Sequence, residues 1–429
     1  MTVHRVRLAL VALGLLAATP APAQITAATW TEAVGFGPDV GEVPAFKPGL
    51  TVDRSNAAQF RKWLPDGLFT LVDKYALVLT TRAYERVHPS KGYLDATNAN
   101  RGKAVIDWSK TNPRENALAG YEGGLPFPKP QAEKDPLKAG RMIAYDYHHA
   151  YRGDDGSFHY GVYWVSAKTG VERSEEWRWR YITRVRYRTD VAPVPALADF
   201  GDDIVSRSMT WATFPQDKRG FAALYSKFDD PRDVQGWMYV PTMRRVLRAS
   251  FGTRGDAWNS TDLLYEDVHG YNGYPEWMDW KLVGLQTILA PVHSGLEAGK
   301  EARDQNFEFD KWPHWNPRMQ WEPRPVYVLE VTPRLADYPY SKMLMYVDAE
   351  TFGIVFKEMK DRKGAPWKVL VNAASASPDM DRHPLRIGTC LVVDLQAEHA
   401  TVFPAYDVES NVGYDPAFFT EPNLRKMGK

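Results

Sequence analysis

Two periods divide the chain. Between Asp66 and Leu79 apolar residues recur at three- and four-residue spacing, at Leu68, Leu71, Val72, Tyr75 and Leu79. That spacing predicts an amphipathic helix, with Asp66 as its cap. Shorter helical patterns cover Asn56 to Leu64, Asn98 to Trp108 and Arg114 to Tyr121. A Gly- and Pro-rich stretch from Gly123 to Pro136 ends the helical part. From Arg141 onward the period becomes two. In Trp177 to Arg188, the residues Trp177, Trp179, Tyr181, Thr183, Val185 and Tyr187 share one face. Arg178, Arg180, Ile182, Arg184, Arg186 and Arg188 share the other, so a strand here is aromatic on one side and an arginine ladder on the other. A strand with one wet face belongs to an antiparallel sheet.

Further strands are expected at Met142 to Tyr151, Phe158 to Ser166, Ile204 to Thr213, Gly220 to Phe228, Gly236 to Val240 and Arg244 to Ala249. The series continues at Trp277 to Ile288, Arg324 to Thr332, Lys342 to Val347, Ile354 to Asp361, Trp367 to Asn372 and Leu391 to Ala397. Helices first and about a dozen meandering strands afterwards describe an α+β chain. A sheet of that size tends to curl or close, which makes a large curved antiparallel sheet whose hollow the helices can cap or plug. The expected organisation is a single domain over residues 53–429, helical over 53–122 and sheet over 141–400, preceded by an extended arm over 24–52.

Residues 1–23 bear on compartment. Arg5 and Arg7 precede an apolar run from Leu8 to Thr19, and Ala21-Pro22-Ala23 supplies small residues for cleavage before Gln24. This is the pattern of a secretory signal peptide, too short for a membrane span. The one cysteine, Cys390, cannot form an intramolecular disulfide. An exported chain without a disulfide framework points to the periplasm, where ATP and NADH are not at hand. Cleavage removes two of 53 basic side chains against 53 acidic ones, so no basic footprint for nucleic acid remains. Aromatic content is high, with 15 Trp, 22 Tyr and 18 Phe. Such residues fill a core or line a cavity for an apolar ligand. Sheltering ~100 Å² of apolar surface is worth roughly 2.5 kcal/mol, so a hydrophobic ligand can be held without a catalytic group.

Several segments resemble one bacterial family. They are Gly124-Leu-Pro-Phe-Pro128, Trp237-Met-Tyr-Val-Pro-Thr-Met-Arg-Arg-Val246, Asp267-Val-His-Gly-Tyr-Asn-Gly273 and Asp279-Trp-Lys-Leu-Val-Gly284. Arg324-Pro-Val-Tyr-Val-Leu-Glu330 and Tyr346-Val-Asp-Ala-Glu-Thr-Phe352 follow in the same order. Together they resemble the family called domain of unknown function 1329, grouped with LolA/LolB-like outer-membrane lipoprotein-sorting folds, over roughly Thr51 to the C-terminus. The resemblance implies an open half-barrel around a helical plug and a hydrophobic ligand passing between membranes. It also implies partners: an inner-membrane transporter of the resistance-nodulation-division type and an outer-membrane protein. Two departures stand out: Pro241-Thr242 where the family has Pro-Gly, and Met142-Ile-Ala-Tyr-Asp-Tyr147 where it has a Trp-Asn pair.

The candidate ligand-binding residues are Phe127, Trp177, Trp179, Tyr181, Trp211, Trp237, Tyr239 and Trp280. Arg244 and Arg245 are candidates for a headgroup or a protein partner, or for structural ion pairs. The arginine ladder can dock a negative surface or pair with acids such as Glu175. Phe127, between two prolines, can rim a cavity or plug the helix-to-sheet corner. Trp312, Trp315 and Trp321 lie in a Pro-broken loop that reads as a flap or as an insertion packed on the sheet. No catalytic or metal-binding residue is singled out: His148-His149 alternate faces on a strand, and no His-Glu-x-x-His or Gly-x-Ser-x-Gly element is present. No cofactor is expected. The sequence therefore reads as a non-catalytic periplasmic carrier, or transport-system subunit, for a lipid or other hydrophobic molecule. A carbohydrate-binding or partner-docking protein, a hydrolase and an outer-membrane barrel are the alternatives.

Overall fold

A computed structural model describes residues 27–35, 47–198, 203–250, 255–296, 303–335, 337–375 and 386–427. The expected signal peptide lies outside them. The helices are α1 (Ala27–Val34), α2 (Asp66–Asp73), α3 (Lys91–Ala99), α4 (Pro136–His148) and α5 (Glu421–Met427). Short strands β1 (Thr51–Val52), β2 (Leu79–Thr81), β3 (Val105–Ile106) and β4 (Leu118–Ala119) accompany the helical part. A first meander follows: β5 (Asp155–Ser166), β6 (Gly170–Ile182), β7 (Ile204–Phe214), β8 (Ala222–Phe228), β9 (Gln235–Val240) and β10 (Arg245–Ser250). A second comprises β11 (Met278–Ala290), β12 (Gln320–Pro333), β13 (Lys342–Asp348), β14 (Ile354–Lys360), β15 (Pro366–Ser375), β16 (Arg386–Asp394) and β17 (His399–Ser410).

The two meanders are joined where β17 pairs antiparallel with β5, giving one 15-stranded sheet that does not close. Its path runs from β11 through β12–β17 to β5–β10, and β1 and β2 attach beside the start of β12. The α+β class and the open antiparallel sheet are as the sequence predicts.

Register assigns every side chain to a face. On the inner face, Leu329, Met345, Lys357, Leu370, Val392, Thr401 and Trp164 lie opposite one another across seven strands. The same face continues through Trp177 and Trp179 to Thr210, Ala223 and Met238. Helices α1, α3 and α4 and the stretch 263–271 cover its β11–β16 part. The outer face is covered by residues 52–79 and 307–321 under β11–β17, and by the C-terminal residues 414–427 under β7–β10.

Curvature follows from two lysines. Lys357 on β14 and Lys227 on β8 are seven strand steps apart, roughly 34 Å on a flat sheet. Yet Lys357 Nζ donates to Gly270 O at 3.0 Å and Lys227 Nζ to Asn272 O at 3.0 Å. Those carbonyls are two residues apart, at most ~7 Å along the chain. The sheet therefore wraps around the segment 255–277, which with α4 forms the plug.

Several local readings are corrected. Residues 142–148 are helical, not a strand. Asp135 accepts from the Leu137 and Lys138 amides as N-cap and Pro136 opens the helix. Ala139, Ile143 and Tyr147, four apart, then face the sheet, and this period overrides the local alternation. Gly140 lets α4 lie on β11: a Cβ there would stand 2.7 Å from Trp280 O. The helix expected at Asn98 to Trp108 is Lys91–Ala99, capped by Ser90, and 114–121 contributes β4 of a small ribbon. Helix α2 stops at Asp73, and Asp66 is its first residue rather than its cap. Tyr75 and Leu79 are buried beyond it, after Ala76 turns the chain at φ 54°. The segment read as an extended arm contains α1, whose Trp30 is buried. Strand β6 ends at Ile182, where Asp154 O takes the amides of Thr183 and Arg184 and turns the chain. Strand β17, broken in pattern by Pro404 and its acidic residues, has no counterpart among the predicted strands. Trp315 and Trp321 are buried in the outer core, so the Pro-broken loop is packed on the sheet.

The plug is anchored by a fully buried pair, Lys357 Nζ to Asp267 Oδ1 at 2.5 Å. Tyr340 Oη donates to Asp267 Oδ2 at 2.7 Å and the Leu264 amide does so at 3.1 Å. Removing one partner strands a buried charge. Asp267→Ala is expected to cost about 3–5 kcal/mol in urea unfolding, and Asp267→Leu with Lys357→Met to recover much of that. Equal losses for the single and the double variant would contradict this assignment.

Candidate ligand-binding trough

The plug does not cover the whole inner face. Beyond β17 the aromatic side of β5 and β6 is left partly open, with Phe158, Trp179 and Tyr181 half-buried. Phe158 lies opposite Trp179 in the register, with centroids 5.5 Å apart, and Tyr181 is 6.0 Å from Phe158. Across β7 to β10 the same face carries Tyr225, Met238 and Leu247, the last 37% exposed. The result is a trough with an apolar, aromatic floor. Trp179 Nε1 has no hydrogen-bond partner among the described residues.

One end of the trough is polar. The plug contributes His148 and His149 at the end of α4, and His269, whose ring is 6.3 Å from Trp179. Lys227 on β8 lies over Tyr274 at 4.8 Å, and His148 is 5.7 Å from the same ring. Arg152 lies over Tyr147 at 4.8 Å and donates to Tyr147 O. Burial, then the charges of Arg152 and Lys227, pull His269 down to about 3. Burial, reinforced by Lys227 and Arg152, holds His148 well below its usual range, and burial with Arg184 does so for His149. Lys227 itself falls to about 7, through burial and then Arg152, with Glu266 and Glu276 opposing. All three imidazoles are neutral at pH 7. Because α4 is a helix, His148 and His149 project from one helix end rather than from opposite faces of a strand.

The expected ligand residues divide across the sheet. Trp177, Trp179 and Tyr181 are on the inner face, and Trp177 is buried against Trp258, 5.8 Å away. Trp280 is also inner, but lies beneath the plug with Nε1 bonded to Pro275 O. Trp211, Trp237 and Tyr239 are on the outer face, in the core closed by Phe418, Phe419 and Leu424. Phe127 packs on Tyr145 at the helix-to-sheet corner, its amide bonded to Asp146. Arg244 and Arg245 are exposed at the β9–β10 turn, where Arg244 takes the positive φ of 51° that Thr242 avoids. Of the arginine ladder, Arg178 and Arg180 are outer, whereas Arg184 lies beyond the end of β6 and donates to His149 O and Ala150 O beside the plug. Arg180 stacks on Tyr414 and Phe418, while Glu175 is engaged by Trp177, Asn259 and Lys218. The sequence offered no signal for Lys227, Arg152 or His269 as one group, since only the curl brings β8 to the plug.

A separate crevice of about 350 Å³, its mouth included, lies beside α1 and α3 and is lined by Trp30, Tyr93, Leu125 and Phe352. Asp146 is fully buried, and Oδ2 has no partner among the described residues; burial holds its carboxyl well above the usual range. No group of three or more metal-ligating side chains occurs among the described residues.

Fold and trough define an α+β protein with an incompletely closed sheet around an apolar hollow. The chain belongs to the family described as Protein of unknown function (DUF1329), which matches residues 51–425. An uncharacterized protein of Pseudomonas aeruginosa is 23% identical over 404 residues, covering 88% of this chain and 82% of that protein. Two of the solved structures that align with this chain are a family member and a LolA superfamily protein. A DUF1329 family protein from Desulfovibrio piger is 18% identical with TM-score 0.49, covering 68% of this chain and 100% of that one. A LolA superfamily protein from Nitrosomonas europaea is 14% identical with TM-score 0.40, covering 66% and 98% respectively.

Two predictions test the division. Trp237→Ala is expected to destabilise the fold by about 3 kcal/mol without changing binding of a hydrophobic dye, whereas Trp179→Ala weakens dye binding with a smaller stability loss. The reverse pattern would move the trough to the outer face. The second concerns pH. Between pH 7 and 10 the unfolded chain keeps the Lys227 proton that the folded chain has released, so this group makes stability rise with pH. Lys227→Met should therefore flatten the rise in urea midpoint from pH 7 to 9, and an unchanged slope would refute the shift.

Proposed function

We propose that the protein is a periplasmic carrier, or a periplasmic subunit of a transport system, for a lipid or other hydrophobic molecule. The half-open aromatic trough carries this reading. An apolar surface inside a curved sheet lowers the free energy of an apolar ligand by about 25 cal/mol for each Å² covered. The signal-peptide pattern of residues 1–23 supports the compartment, and the family resemblance supports the class of ligand. The transporter and outer-membrane partners that the resemblance implies belong to the same reading. In this account the protein does no covalent chemistry; it takes up its ligand by partition and releases it on contact with a partner.

Native mass spectrometry of the protein, purified from its own periplasm without detergent, tests the reading. The expected result is a near-stoichiometric apolar molecule that is depleted in a Phe158→Ala, Trp179→Ala variant. A ligand-free protein that also ignores added lipids and hydrophobic dyes would contradict it.

A further inference from the structure

The polar end of the trough gathers two basic side chains, Lys227 and Arg152, whose donors are largely unused. Among the described residues Lys227 donates one hydrogen bond, to Asn272 O, and an ammonium offers three donors. Arg152 donates to Tyr147 O and to the Tyr147 hydroxyl. Among the described residues neither forms an ion pair. The two nearby carboxylates whose charge reaches Lys227 are Glu266 and Glu276. Glu276 is occupied by Tyr145 Oη and the Ala117 amide, whereas Asp229 is taken by Arg186. Burial disfavours the charged form of Lys227, and an anion placed beside Lys227 and Arg152 favours it. Three neutral imidazoles stand beside them; the His148 ring N–H is bonded to the Gly273 carbonyl, and His149 and His269 each have a ring N–H to donate.

We propose that Lys227 and Arg152, with His149 and His269, receive the anionic headgroup of an amphiphile whose apolar part lies along Phe158 and Trp179. The inference rests on the carrier reading and narrows its ligand to carboxylate- or phosphate-bearing lipids. Placement supports it. His269 belongs to both ends of the site, 6.3 Å from Trp179 and within the field of Lys227 and Arg152. An anion at the histidines thus directs its tail onto the aromatic floor. The headgroup completes the coordination of Lys227 and Arg152 through charge-assisted hydrogen bonds, and the tail covers the half-exposed rings. A neutral lipid of the same length would gain only the second of these.

Three probes separate the outcomes: cis-parinaric acid, its methyl ester and inorganic phosphate, with parinaric fluorescence as readout. The wild-type protein is expected to bind the acid roughly tenfold more tightly than the ester. Lys227→Met is expected to bring the acid close to the ester while leaving ester binding intact, which also shows that the variant is folded. If Lys227→Met loses ester binding too, Arg152→Gln is the second variant, with the same convergence expected. Equal affinity for acid and ester in the wild type, or a preference that survives in the folded variants, overturns the headgroup site and leaves the carrier reading standing. Phosphate that displaces the acid at the acid's own concentration marks a free-anion site and overturns the amphiphile. Failure of the wild type to bind either fatty probe removes the carrier reading itself.

Discussion

Two lysines reaching one turn set the shape of this protein. Lys357 and Lys227 come from strands that a flat sheet would hold far apart, and both donate to the backbone between Gly270 and Asn272. Closing that distance requires the sheet to curl, and the curl creates an inside. The Lys357–Asp267 pair is fully buried, so its desolvation offsets much of its attraction. We assign it to register: it fixes which residues of the plug meet which strands. Everything lining the trough inherits its position from that choice, including His269 two residues beyond Asp267.

A second buried network ties β12 to the end of β13 and the turn after it. The guanidinium of Arg324 meets Asp348 at 2.7 and 3.0 Å and Glu350 at 2.8 Å, and donates to Glu85 O at 2.7 Å. Burial raises the Asp348 carboxyl, but Arg324 outweighs this and holds it below its ordinary range. Glu350 also accepts from the Val87 amide, tying the segment before α3 to the β13–β14 turn. Arg324, Asp348, Glu350 and Asp267 all belong to segments that carry the family resemblance. Those segments hold the fold together, whereas Phe158 and Lys227 lie outside them. The resembling segments also reach the trough, through Met238 and His269.

Much of the sheet was legible because alternation is a local property. Trp177, Trp179 and Tyr181 were placed on one face from spacing alone, and the structure keeps them there. The faces of different strands could not be matched from the sequence. Trp237 alternates as cleanly as Trp179, yet register through β7 and β8 puts it on the opposite side. Met142 to Tyr147 satisfies both periods, and the cap Asp135-Pro136 is the signal that decides for helix α4. The cationic end was invisible for a different reason. Its members come from α4, the following loop, β8 and the plug, and only the three-dimensional curl gathers them.

The central claim is that ligand enters the inner face between β5 and β9 and rests against the plug. Hydrogen–deuterium exchange of the protein with and without a bound apolar ligand addresses this directly. The account predicts added protection confined to β5–β9 and to residues 258–274, with the outer-face segments 52–79 and 414–427 unchanged. Protection centred on the C-terminal residues over Trp211 and Trp237 would contradict it and place the ligand on the other side of the sheet.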